Sequence, residues 1–256
     1  MPIWRDGRPR KRWRYVGVYG EDVMLCAGVF WLGAAPQAFW ALWDRRAARL
    51  HERTAWASRR VRLPDGAVRV ADRGVEIDLR LEPAGDPLEV TSPHGGSYIW
   101  TRKTPLRAVG TVRIAGSARR VDAHGLLDDS AGYHARRTNW EWSAGVGTAK
   151  DGAALTWNFV SGIHDVGPQT ERAIWVNGVP QAAGAMETNA ALDRVRTLDG
   201  SDLRFAAEAV RERHDKAGPL LASDYVQPFG AFSGHLAGGI ELDSGYGVME
   251  RHAALW

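Results

Sequence analysis

Hydrophobic residues fall at every second position through much of this chain. From Gly74 to Glu82, GVEIDLRLE, the side chains of Val75, Ile77, Leu79 and Leu81 share one face and those of Glu76, Asp78, Arg80 and Glu82 the other. That is the pattern of a strand with one face buried. Shorter runs of the same kind recur: RYVGVYG from Arg14, GSYIWTRK from Gly96, RAVGTVRIAG from Arg107, TNWEWSAGVG from Thr138, ALTWNFV from Ala154 and RAIWVNG from Arg172. Turn residues separate the runs, at Pro64-Asp65-Gly66, Asp151-Gly152, Asn177-Gly178 and Asp199-Gly200. Short strands punctuated in this way, with no regular strand and helix alternation, predict an all-β chain: one antiparallel barrel, or two packed barrel-like β domains with few helices.

Two segments leave helix and strand open. In QAFWALWDRRAARLH, from Gln37, the residues Phe39, Trp43, Ala47 and Leu50 recur at helical spacing, while Phe39, Ala41 and Trp43 alternate as in a strand. The stretch from Ser201 to Lys216 opens with a plausible helix cap and is rich in helix formers, yet it could equally be a strand. The number of strands on each side places a division near residue 125, giving domains 1–125 and 126–256, with one continuous unit as the alternative.

Composition narrows the function classes. The 256 residues are 45% hydrophobic and 25% charged with a net charge of +3, values that suit an ordinary globular core and not a disordered chain. The basic run RDGRPRKRWR from Arg5 stands alone, and acidic residues are interleaved elsewhere, so no nucleic-acid partner is expected. Cys26 is the only cysteine, which excludes an intrachain disulfide and fits a cytoplasmic location. The apolar run from Val23 to Pro36 is too short to span a bilayer and follows Glu21 and Asp22, so a buried strand is expected there rather than membrane insertion.

Phosphate-binding glycine loops, a GxGxxG turn and a GxSxG nucleophile elbow are absent, and HERT at His51 lacks the second histidine of a zinc protease helix. His124, His134 and His164 could meet near Asp128, Asp129 and Asp165 only from distant strands. No metal and no cofactor are therefore expected.

The densest chemistry lies from Asp128 to Trp142, DDSAGYHARRTNWEW. If 138–146 is a strand, Trp140 and Trp142 face one side and Asn139, Glu141 and Ser143 the other. The segment resembles a family of bacterial lipocalin-like proteins of uncharacterised function, in which an aspartate, a glycine and an RTxWxW run precede a strand carrying a tryptophan and an asparagine. The matching positions are Asp128 or Asp129, Gly132, Arg137, Thr138, Trp140, Trp142, Trp157 and Asn158, with further matches at RWRYVGVYG, APQAFWALWDR, RAIWVNG and GYGVMERH. The resemblance implies a lipocalin-like fold with FWALWDR as a strand. More remotely, it is similar to calycin-type two-domain proteins such as carotenoid hydratases and tocopherol cyclases, which enclose apolar substrates.

A carboxylic acid in a water-poor apolar pocket has its charged form disfavoured, so it can donate a proton near neutrality. Asp128 and Asp129 are the candidate acids, and His134 or Glu141 would take a proton back or position water. Tyr133, Trp140, Trp142 and Trp157 offer aromatic faces worth about 0.5–2 kcal/mol each to a developing cation; Arg137 and Asn158 complete the expected ligand-binding set. Glu250, His252 and His94 are lesser candidates at a barrel mouth. The expected function is a cofactor-independent lyase or isomerase acting on a hydrophobic small molecule. The alternatives are a carrier using the same cavity, and carboxylates that cap a turn or pair with Arg136 and Arg137.

Overall fold

The computed structural model describes residues 1–57, 59–165, 170–218 and 221–256. A small hairpin, β1 (Trp4–Arg5) and β2 (Arg8–Pro9), opens the chain. The first large sheet is built from β3 (Lys11–Tyr19), β4 (Val23–Leu32), β5 (Ala35–Asp44), β6 (Arg49–Trp56), β7 (Val61–Arg62), β8 (Ala67–Asp72), β9 (Val75–Pro83), β10 (Leu88–His94), β11 (Ser97–Ile114) and β12 (Ser117–Gly132). The second contains β13 (Arg137–Ala149), β14 (Ala154–Ser161), β15 (Ala173–Val176), β16 (Val179–Ala182), β17 (Met186–Thr188), β18 (Arg194–Thr197), β19 (Asp202–Ala217), β20 (Leu221–Leu236) and β21 (Ile240–Leu255).

Strand order is β6-β5-β4-β3-β12-β11-β9-β8-β7 in the first sheet, with β10 also on β11, and β16-β15-β14-β13-β21-β20-β19-β18-β17 in the second. The chain crosses between sheets after Gly132 and before Arg137, whereas residue 125 lies inside β12. Among the described residues no helix is long and apolar enough to cross a membrane.

Both ambiguous segments are strands. FWALWDR lies in β5 and its turn, and the stretch from Ser201 is mostly β19, where pairing on both flanks outweighs the helical preference of Ala206, Ala207, Glu208 and Ala209.

The two-residue pleat sorts side chains into three cores. Val16, Val18, Leu25, Trp40, Ile77 and Leu79 fill the hollow of the first sheet, and Trp157, Phe159, Leu203, Phe205, Phe232 and Met249 that of the second. The opposite faces of the central strands pack on one another through a third core, with Tyr15, Tyr19, Met24 and Trp43 meeting Trp142, Val146, Phe229 and Val248. Glu208 ties the sheets at one edge, accepting hydrogen bonds from the Trp43 indole at 2.9 Å and from Arg45 at 2.7 Å.

β19 contains a bulge between Ala207 and Ala209. An extra residue reverses the phase of a strand. Leu203 and Phe205 therefore face the second sheet's own core while Arg211, of the same parity, belongs to the opposite face.

Candidate functional site

Between the sheets, continuous with the third core, lies a cavity of about 380 Å³. It is not inside either curled sheet, as a ligand barrel would place it, but between them. Strand register builds its walls. In the first sheet, Lys103, Asp128, Tyr15, Gly28, Phe39 and Thr54 are successive cross-strand neighbours. Two residues along the strands, Thr101, Ser130, Trp13, Phe30, Gln37 and Trp56 form a parallel row. Gly28 leaves room for the Phe39 ring, since a Cβ there would lie 2.2 Å from it.

The facing sheet contributes matching rows. Arg211 is the neighbour of Gln227, whose amide donates to Glu250 at 2.7 Å; Glu250 in turn is the neighbour of Trp142, and Trp142 of Val160. The next row runs Arg213, Tyr225, His252, Trp140. Aromatic contacts close the space between sheets: Trp13 stacks parallel to Trp140 at 6.4 Å, and Tyr15 meets Trp142 edge-on at 5.3 Å.

Three polar groups interrupt this wall. At one end Lys103 Nζ lies 2.6 Å from Asp128 and 2.9 Å from Glu171, all three buried. Burial raises the pKa of Asp128 despite Lys103, and Glu171 raises it further; for Glu171 burial is outweighed by Lys103 and His164, so it is lowered. His164 approaches Glu171 at 3.8 Å and its Nδ1 shares a hydrogen bond with the Ser92 hydroxyl.

In the middle, Glu250 accepts the Trp140 indole N–H at 2.7 Å and the Gln227 amide. Both donors are neutral, and burial pushes the Glu250 carboxyl from the ordinary 4.5 to about 7. His252 packs against Trp140 with ring centres 4.1 Å apart and planes tilted by 47°, and bonds the Ser223 hydroxyl at 2.8 Å. Burial, aided by Arg211, lowers its pKa to about 3 and keeps the ring neutral. The third group is Arg211, set against Phe39 and Tyr225.

Of the residues singled out from the sequence, Asp128, Trp140 and Trp142 line this cavity together, as do Glu250 and His252. Asn158 sits behind the wall, accepting the Trp142 indole N–H at 2.7 Å and donating to the Glu171 carbonyl at 2.8 Å, so it orients both. His164 also reaches the cavity, and the others lie elsewhere. Asp129 points from the other face of β12, where Arg14 holds it at 2.8 Å. Glu141 bonds Arg251 at 2.9 Å on the opposite face of β13 from Trp142. His134 is buried behind Trp13, 4.8 Å from that ring, and burial drives its pKa well down. Tyr133 donates to the Pro2 carbonyl, Trp157 lies in the second sheet's core and Arg137 is exposed at the start of β13. His94 sits against His134, 5.7 Å between ring centres. The carboxylate partners are likewise not Arg136 and Arg137 but Lys103 and Arg14, because the register of β12 with β11 and β3 brings those cations alongside.

Lys103, Glu171 and Arg211 were not anticipated. A signal existed for Lys103: it shares a strand face with Ile99 and Thr101, both buried, and a lysine at a core-phase position is rarely buried without partners. Replacing Asp129 with Asn is expected to cost about 1–3 kcal/mol, since it weakens a bidentate, largely buried pair with Arg14, and to leave the cavity's affinity for a fluorescent apolar probe unchanged, checked by urea unfolding and probe titration.

The family described as Domain of unknown function (DUF2804) matches residues 59–256. Among solved structures, a protein assigned as AttH from Nitrosomonas europaea superposes with a TM-score of 0.64 at 17% identity, covering 94% of this chain and 92% of that one. Kievitone hydratase from Nectria haematococca does so with a TM-score of 0.61 at 11% identity, covering 98% and 90%. Identities this low establish a shared lipocalin-like fold. No curated protein matches the sequence.

Proposed function

The chain belongs to the DUF2804 family, and from that premise we propose that it is a cofactor-independent acid/base lyase or isomerase that protonates an unsaturated, largely apolar small molecule held between its two sheets. One observation carries the reading: Glu250 is a buried carboxyl on an aromatic wall, hydrogen-bonded by two neutral donors and poised at about 7. A proton donor works best when its pKa is close to the working pH.

In this reading Glu250 delivers a proton to a substrate double bond. The rings of Trp140, Trp142 and Tyr15 stabilise the cation that forms, each by about 0.5–2 kcal/mol. Asp128, whose pKa burial also raises, stands across the cavity to direct water or to remove a proton. Water capture followed by loss of one of its protons gives hydration; proton loss from carbon gives isomerisation; attack by a second double bond followed by proton loss gives cyclisation. That one protein sharing the fold is named a hydratase lends support of a general kind.

The second reading, a carrier for the same class of ligand, draws on the aromatic lining alone. A panel of prenylated phenols, polyenes and terpenoid alkenes, incubated with the protein in isotope-labelled water and followed by mass spectrometry, separates the two. Hydration adds labelled oxygen, whereas isomerisation and cyclisation change retention without changing mass. Conversion that disappears in Glu250→Gln while binding persists supports the enzyme. Binding without conversion of any class supports the carrier.

A further inference from the structure

The cavity is not symmetrical about Glu250. At the Lys103 end one ammonium is shared by two carboxylates, so its charge is already more than matched. At the other end the phase change in β19 brings Arg211 into the wall, only 3% exposed. Its guanidinium carbon lies 4.7 Å from the centre of the Phe39 ring and 5.0 Å from that of Tyr225.

The hydrogen bonding of Arg211 is incomplete. Nη2 donates to the Thr54 hydroxyl at 2.7 Å, and the Tyr225 hydroxyl is a second hydrogen-bond partner; both are neutral. Glu52 has a carboxylate oxygen 2.9 Å from Nε, but out of line, and Nε makes no hydrogen bond among the described residues. Glu52 is itself 35% exposed, where water competes for its charge. A guanidinium has five N–H donors in a rigid fork suited to planar oxyanions. Held between aromatic rings with donors to spare, it is built to receive one. Arg213, in the adjacent row, already has a bidentate carboxylate partner, Asp215, which takes its Nε and Nη2 at 2.9 and 2.8 Å.

We propose that Arg211 anchors an anionic oxygen, carboxylate, phenolate or enolate, carried by an otherwise apolar substrate. The proposal rests on the cavity reading above and adds to it a substrate class and an orientation. β19 and β21 are separated by one strand, so the backbones bearing Arg211 and Glu250 are about 10 Å apart. The oxyanion and the bond receiving the proton therefore lie within about that distance on the substrate. The charged head sits toward Thr54, and the unsaturated part reaches past Glu250 toward Trp142.

Dodecanoate and methyl dodecanoate share a tail and differ in charge at the head, and binding of each can be followed by quenching of the cavity tryptophans at mildly alkaline pH. The wild-type protein is expected to prefer the acid by about tenfold or more, the range of a charge-assisted hydrogen bond. Arg211→Met should lose that preference with ester affinity unchanged within about twofold, and Glu250→Gln should keep it. Equal wild-type affinity for the two probes, or a preference that survives in a folded Arg211→Met protein, overturns the anchor and leaves the cavity reading intact. If neither probe binds the wild-type protein, the cavity reading itself falls. Should the Met variant not fold, Arg211→Lys decides: acid affinity lowered severalfold with the ester unchanged supports the anchor, and both probes shifting together overturns it.

Discussion

Lys103→Met is expected to destabilise the folded protein by about 3–5 kcal/mol at neutral pH, and by much less in mild acid. The reason lies in who remains. Asp128 and Glu171 are buried within 2.6 and 2.9 Å of the lysine ammonium, and both keep their places when it is gone. Two unpaired carboxylates in a low-dielectric interior repel one another and lack solvation, so each takes up a proton more readily than in the unfolded chain. Folded values raised above unfolded ones mean that stability is retained below the unfolded values and lost as pH rises through the raised ones. Urea unfolding near pH 5 and near pH 8 tests this through the difference between the two losses. Equal losses at both would mean that Lys103 acts by packing its stem. Replacing Asp128 with Asn and Glu171 with Gln in the same protein should abolish the pH dependence, since no buried charge is left there.

Glu250→Gln is expected to lower turnover by about a hundred- to ten-thousandfold, the usual contribution of a general acid. Its effect on stability has the opposite sign at alkaline pH. In the wild-type protein the folded value of about 7 exceeds the ordinary 4.5. The contribution is therefore fully present below about 4.5, is lost as pH climbs through about 7, and amounts to about 3 kcal/mol. The Gln variant has no such proton to lose, so its stability should fall less than that of the wild type between about pH 5 and about pH 9. Turnover by the wild type should decline above about pH 7 as the acid form is depleted. A variant that folds, binds and turns over normally would remove Glu250 from the chemistry.

The strand pattern was readable because burial on one face writes itself into alternate residues. Val75, Ile77 and Leu79 point into the first core as their spacing predicts. The pairing of strands was much less legible. Asp128 and Asp129 are adjacent and chemically identical, and only the packing of β12's two faces decides that one looks into the cavity and the other toward Arg14. Lys103 joins Asp128 from a neighbouring strand 25 residues earlier in the chain, while Glu171 arrives from the connection just before β15. Neither juxtaposition has a local spacing to betray it.

Arg211 was obscured for a different reason. Counting by twos from Leu203 and Phe205 assigns it to the second sheet's own core, and the bulge that reverses the count is silent in the residue types around Glu208. Glu250 and His252, by contrast, carry the simplest strand signal, polar residues two apart on one face, and that face is the cavity wall.

The placement of the cavity between the sheets also bears on how such a protein can change over generations. Along β5, Ala38, Trp40 and Leu42 hold the first core while Phe39, one step away, faces the cavity. Along β3, Val16 and Val18 do the same beside Tyr15. Selection can thus redraw the pocket through one set of positions while the alternate set, under separate constraint, continues to specify the architecture. Descendants of one ancestor could diverge in the molecules they accept long before their folds cease to superpose.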